Sequence, residues 1–231
     1  MTDFLTSTLL ILPGLVIAIT LHEAAHAYVA SWLGDQTARL MGRLSLNPVR
    51  HIDPVGTLAV PGLLFLIGAP FLFGWAKPVP VDWRYLKHPR QDMALVALAG
   101  PCTNLILAIL SALLIHIAVL LPDAVASPLV SMLSFSIVIN CVVALLNLLP
   151  LPPLDGGRIV IGLLPERLAY RYARIERFGM PLLIVIMFLL PWMFSTIGLN
   201  VDPFRTVLVP LVNGLVNGIS SFTGLVQATG V

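Results

Sequence analysis

Within the apolar run Phe4–Leu33 stands the sequence His22-Glu23-Ala24-Ala25-His26. On a helix, residues four apart differ by about 40° in azimuth and about one turn in rise, so both imidazoles can face one cation. Glu23 then lies beside that cation without having to bind it, a position suited to moving a proton. A carboxylate and two imidazoles inside a membrane are costly unless paired, so residues of these types point to function before packing. Zinc held by two histidines usually takes a third protein ligand and keeps its fourth position for water. The leading third candidate is Asp155, in Asn147-Leu-Leu-Pro150-Leu-Pro152-Pro153-Leu-Asp155-Gly156-Gly157-Arg158. Three prolines end the preceding helix there, and the paired glycines let the backbone pass close to the carboxylate. His116 is a rival, but it stands alone near the far end of its own apolar run and reads as a packed or interfacial histidine. His51, His88 and Asp53 lie in polar loops and read as solvated or turn-forming.

Two further motifs border this set. Gly100-Pro101-Cys102-Thr103-Asn104 interrupts an apolar run, and Gly100, Asn104, Ala108 and Ala112 fall four apart, a small-residue stripe that lets another helix approach closely. One reading has Pro101 kink the helix while Asn104 bonds a neighbouring backbone. The other brings the Asn104 amide to the substrate or to a developing oxyanion, and Asn147 carries the same two readings. In Gly74-Trp75-Ala76-Lys77-Pro78-Val79-Pro80-Val81, the two prolines deprive one edge of an extended strand of its donors, whereas Lys77, Val79 and Val81 keep theirs on the other. That edge can pair with the chain's own sheet or with an incoming extended peptide.

The elements that must position these groups are membrane helices. Of 231 residues, 58% are hydrophobic and 10% charged, and the mean hydropathy is +0.97. Ordinary soluble domains carry roughly 25% charged residues, so a soluble globular domain, a disordered chain and a nucleic-acid binder are all excluded. The formal charge of +2 supports no strongly electrostatic partner. Cys102 and Cys141 sit in apolar runs and read as small buried hydrophobes. Runs near the length of about 20 residues that a bilayer demands are Phe4–Leu33, Pro54–Gly74, Met93–Leu121, Leu129–Leu149, Pro181–Leu199 and, interrupted by Asn213, Asn217 and Ser220, Phe204–Val226. The fold class expected is an all-α polytopic membrane protein of five or six membrane helices around an intramembrane metal site. A small β element near residues 40–50 and 74–82 is expected beside it. Residues 1–231 read as one domain, with a core over about 4–160 and C-terminal helices over about 178–228; the sequence sets no oligomeric state.

Basic residues fall in three blocks: Arg39, Arg43, Arg50; Lys77, Arg84, Lys87, Arg90; and Arg158, Arg167, Arg171, Arg174, Arg177. Bringing all three to the cytoplasm requires that Pro54–Gly74, with its four helix breakers, enter and leave on the same side; a simple span there breaks the charge rule. The N-terminus is then non-cytoplasmic and the metal site lies nearer the cytoplasmic side of the cell membrane.

Taken together, the chain resembles the site-2 protease family of intramembrane metalloproteases, peptidase family M50. The resemblance rests on His22-Glu23-x-x-His26, Gly100-Pro101-x-x-Asn104 and Asn147-x-x-Pro150-x-Pro152-x-x-Asp155-Gly156. Gly42-Arg43-Leu44-x-Leu46-Asn47-Pro48 and the Gly74–Pro78 strand, typical of compact bacterial members without PDZ or CBS domains, extend it. It implies one Zn2+ on His22, His26 and Asp155, with Glu23 as the catalytic residue, and a membrane-spanning protein substrate cut within or near the lipid bilayer. A metal or proton transporter using the same His and Asp residues, and an inactive substrate-binding relative, are the competing readings. The transporter lacks the paired repeats it would lead one to expect, and the inactive relative would have no need of Glu23.

Overall fold

The computed structural model describes residues 2–66, 74–198 and 202–225, and no strand occurs among them. In chain order the helices are α1 (Thr2–Trp32), α2 (Thr37–Leu40), α3 (Val60–Leu66), α4 (Pro89–Ala118), α5 (Asp123–Leu148), α6 (Asp155–Leu163), α7 (Glu166–Ala173), α8 (Glu176–Ile184), α9 (Leu190–Thr196) and α10 (Pro203–Thr223). A π-helical turn at Val185–Leu189 joins α8 to α9, so helix continues from Glu176 to Thr196. Among the described residues, five stretches are long and apolar enough to cross a membrane: Leu12–Trp32, Pro89–Ala118, Asp123–Leu148, Glu176–Thr196 and Arg205–Thr223. The protein is therefore an all-α polytopic membrane protein. The apolar helical stretch Pro54–Leu64 is well short of the about 20 residues a span needs. Part of Pro54–Gly74, residues 67–73, lies outside the described residues.

Local sequence fixes the helix ends. Pro89 opens α4 with the ring geometry a first helical residue favours, and the Asp92 carboxylate accepts the His88 N–H at 2.7 Å. Asp202 caps α10 by accepting the Arg205 N–H at 2.8 Å, and Gly224 ends it at φ 72°, a conformation that glycine adopts without a Cβ penalty.

α4 is the central helix, packed against α1, α5, α6 and α10. Its stripe of Gly100, Asn104, Ala108 and Ala112 is buried throughout. On its outer half, Ala108, Ala112 and Ile115 pack with Ile137 and Cys141 of α5 and with Leu208, Val212 and Ile219 of α10. α10 thus turns its apolar face to the bundle and leaves Asn213 and Asn217 exposed. Cys141 is buried as expected, whereas Cys102 is exposed on the outer surface of α4. Arg90 at the start of α4 donates to the Leu164 carbonyl at the end of α6, and the Tyr172 hydroxyl of α7 donates to the Pro150 carbonyl at 2.5 Å. Burial raises the Tyr172 phenol above its ordinary pKa, so it remains a donor.

The small β element expected near residues 40–50 and 74–82 does not form among the described residues. Residues 74–82 are extended, but they meet single acceptors in place of a partner strand. The Trp75 N–H donates to the Gly56 carbonyl at 3.1 Å and the Lys77 N–H to the His51 carbonyl at 2.9 Å. The next donor on that edge, the Val79 N–H, reaches the Glu23 carboxylate at 3.0 Å. Pro78 and Pro80 supply no donors to the opposite edge, and the Arg43 guanidinium takes the Lys77 carbonyl at 2.6 Å. The partner region, around Pro48–His51, is itself coiled into a 3-10 turn, so no ladder can start. His51, expected in a solvated loop, is buried under this strap.

One carboxylate ties the strap to α1. Asp35, fully buried, accepts from the Thr37 N–H at 2.9 Å, the Thr37 hydroxyl at 2.5 Å and the Asp82 N–H at 2.8 Å. Removing it leaves three half-buried donors unpaired. Asp35→Ala should lower stability by roughly 3 kcal/mol, read as the shift of a chemical unfolding curve in detergent micelles.

Candidate metal centre

His22 and His26 lie one turn apart on α1, midway along and just past the middle of its membrane stretch Leu12–Trp32. Asp155 opens α6, after the turn that follows α5. All three side chains are buried, at 5%, 8% and 7% relative exposure. Their ligating atoms form a nearly equilateral triangle. The His22 Nε2 lies 3.1 Å from the His26 Nε2 and 3.1 Å from the Asp155 Oδ2, and the His26 Nε2 lies 3.3 Å from that same oxygen.

The remaining ring nitrogens decide what that triangle contains. The His22 Nδ1 faces the Asn104 Oδ1 at 2.6 Å, and the His26 Nδ1 faces the Val96 carbonyl at 2.7 Å. Both partners only accept, so each Nδ1 carries a proton, and in the neutral form of each ring the Nε2 turns its lone pair into the triangle. Two ring nitrogens and a carboxylate oxygen therefore converge, and the Asp155 Oδ2 has no hydrogen-bond partner. Such a cluster calls for a cation. Zinc bonds of about 2.0–2.1 Å in tetrahedral geometry put neighbouring ligand atoms about 3.3–3.4 Å apart, close to the triangle's edges. His22, His26 and Asp155 thus fit a divalent metal with borderline-soft preferences.

Gly100 closes one side of this centre. A Cβ added there would lie 2.5 Å from the His22 Cε1, 2.5 Å from the His26 Nε2 and 2.6 Å from the His22 Nε2. No side chain fits at that position without displacing both ligand atoms. Glu23, half-buried on the same turn of α1, has its Oε2 held by the Val79 N–H of the strap.

The other candidates separate. Asn104, fully buried, bonds His22 through its oxygen and spends its amide N–H groups on the Ala18 carbonyl at 3.2 Å and the Asn140 Oδ1 at 2.8 Å. It holds the His22 ring and has both of its N–H groups already engaged. Asn147 is half-buried near the end of α5 and donates to the Val143 carbonyl at 3.0 Å. His116 donates to the Thr223 carbonyl at 3.0 Å, joining α4 to α10, and is the packed histidine that its position suggested. Asn140 is the residue that sequence reading missed. Its signal was present, as an amide in the middle of an apolar membrane run.

Comparison with known proteins was decisive for the family. The profile of peptidase family M50 matches residues 112–190. The Bacillus subtilis protein named "Putative zinc metalloprotease YwhC" is 41% identical over 194 residues, 80% of this chain and 85% of the relative. The chain belongs to peptidase family M50. Two mycobacterial members named "Putative zinc metalloprotease Rip2" agree. The one from Mycobacterium tuberculosis is 32% identical over 81% of this chain and 71% of its own length, and the one from Mycolicibacterium smegmatis is 29% identical over 82% and 71%. No solved structure matches the chain significantly. The matched profile segment contains Asp155, whereas the two histidines lie outside it.

A methyl group at Gly100 tests this M50 centre without removing a ligand. Gly100→Ala should cut zinc affinity at least about tenfold, as loss of ligand orientation does, with helix content unchanged. Asp155→Ala should abolish stoichiometric zinc. Both are measured by metal analysis of protein dialysed against a weak chelator.

Proposed function

We propose that this M50 protein is an intramembrane zinc endopeptidase that hydrolyses peptide bonds of membrane-spanning protein substrates. The observation that carries the proposal is the convergence of three atoms able to bind a metal beside a carboxylate that takes no part in the triangle. His22, His26 and Asp155 would hold one zinc ion per chain. Zinc bound there supplies a Lewis acid that acidifies water and polarises a carbonyl.

The chain's own residues do the rest. Glu23 takes a proton from the attacking water and returns it to the departing amine. Its Oε2 is already engaged by the Val79 N–H, so the proton passes through the other oxygen. The Val79 contact also stops the carboxylate from swinging toward the cation as an extra ligand. Holding a cation needs Asp155 ionised and both imidazoles neutral, with their Nε2 lone pairs turned into the triangle. The transport reading draws no comparable support, because nothing in it requires a carboxylate held apart from the ligand set.

We also infer that the N-terminus is non-cytoplasmic and that the strap and the Asp155 turn face the cytoplasm. With five spans among the described residues, and with Pro54–Gly74 entering and leaving on the same side, all three basic blocks fall on one side of the membrane, in keeping with the charge bias of cytoplasmic loops. The residues read as a single catalytic domain over 1–231, with the ligands contributed by its first 160 residues.

Glu23→Gln should retain zinc and lose roughly 100- to 10,000-fold in cleavage rate, measured with purified protein and a membrane-spanning test substrate in liposomes. Zinc retained with undiminished cleavage would remove Glu23 from the reaction, and metal flux that survives the substitution would favour transport. A substrate helix hides its carbonyls in its own hydrogen bonds and must unwind before it is cut. Test substrates with Gly, Pro or Asn in the span should therefore be cut faster than versions with Leu at those positions; equal rates count against the mechanism.

A further inference from the structure

Two buried asparagines remain that the reaction itself does not use. Asn104 of α4 and Asn140 of α5 have 0% and 1% relative exposure, and both lie within membrane-spanning stretches. Amides at that depth are costly unless every group is paired, and here they are joined in one direction. The chain of bonds starts at the Ser136 carbonyl, which only accepts. The Asn140 Nδ2 donates to it at 2.8 Å, so the Asn140 oxygen faces away, toward Asn104. The Asn104 Nδ2 donates to that oxygen at 2.8 Å and to the Ala18 carbonyl at 3.2 Å. The Asn104 oxygen is therefore left facing the His22 Nδ1 at 2.6 Å, where only an N–H can meet it. Inverting the Asn104 amide would set its oxygen against two other oxygens and its N–H group against a ring N–H.

We propose that Asn104 and Asn140 are positioning residues: a one-way hydrogen-bond relay, anchored on the backbone carbonyls of Ser136 and Ala18, that locks His22 as the Nδ1–H tautomer and so aims its Nε2 lone pair at the metal. The proposal rests on the zinc reading for its purpose, though the lock itself is a property of the metal-free protein. His26 needs no such relay, because the Val96 backbone carbonyl holds its Nδ1 directly. The difference between the two ligands is what makes the idea testable. Partner groups of this kind commonly account for 10- to 100-fold in metal affinity.

The test uses the full-length protein in detergent micelles, labelled with 15N in its histidine rings and stripped of metal. Wild type should show both site histidines as Nδ1–H tautomers. In Asn104→Leu, which keeps the branched side-chain shape and removes the acceptor, His22 should interconvert between tautomers while His26 stays fixed. Zinc affinity by chelator competition should fall about 10- to 100-fold. Asn140→Leu should show the same change to a smaller degree, since the Ala18 carbonyl still orients Asn104. Persistence of a single Nδ1–H form of His22 in Asn104→Leu, with unchanged zinc affinity, overturns the relay. Loss of both histidine signatures together also overturns it, by assigning the asparagines a general packing role. A wild-type protein with a locked His22 but no cleavage refutes the protease reading and leaves the relay intact.

Discussion

Two imidazole nitrogens and one carboxylate oxygen are held 3.1–3.3 Å apart inside a membrane protein. In water such groups would turn to solvent. Here burial removes that option and the lower dielectric strengthens their pull on a positive charge. The fold therefore sustains a cluster that a cation stabilises. Both imidazoles are committed to this role before any metal arrives, since their Nδ1 atoms are bound to oxygens that only accept.

Holding the cluster requires rigid, close contact between helices that carry no large side chains at the contact. Ala18, Ala24, Ala27 and Ala30 of α1 are all buried, and Gly100 of α4 offers the rings a surface without a Cβ. A membrane supplies little hydrophobic drive between helices, so packing of small residues and interhelical hydrogen bonds do the work. α6 brings the third corner of the triangle from the other side. Its first residue is Asp155, and its far end is fixed to α4 through Arg90 and the Leu164 carbonyl. The Pro150 carbonyl, held by Tyr172 of α7, steadies the turn that delivers Asp155. The ligand triangle is thus the meeting point of three helices, each anchored elsewhere.

What the sequence made legible follows from where the information lies. The histidine pair needs only helical periodicity, which is local, and the small-residue stripe from Gly100 to Ala112 is local too. Asp155 could be proposed because an acid between prolines and paired glycines has few other uses in so apolar a chain. The β element failed because strand formation depends on a partner that lies elsewhere in the sequence. Proline spacing told which edge of residues 74–82 kept donors, but not that Glu23 and single carbonyls would take them. Asn104 kept two readings, a bond to a neighbouring backbone and a contact to substrate, because local pattern cannot say which way an amide points. That depends on Asn140, thirty-six residues on, and an isolated asparagine in an apolar run offered no spacing to connect the two.

The strap adds a consequence for the base. Val79 is buried, and its N–H meets Glu23, while Arg43 grips the neighbouring carbonyl of Lys77. The strap cannot drift without withdrawing the Val79 amide, so the orientation of Glu23 depends on a segment whose own register is set by Arg43, by Asp35 through Asp82, and by the His51 carbonyl. A carboxylate beside a cation would otherwise collapse onto it as a ligand. An amide hydrogen bond to one oxygen opposes that collapse, so that Glu23 is held apart from the triangle although it is the immediate neighbour of His22 in the chain.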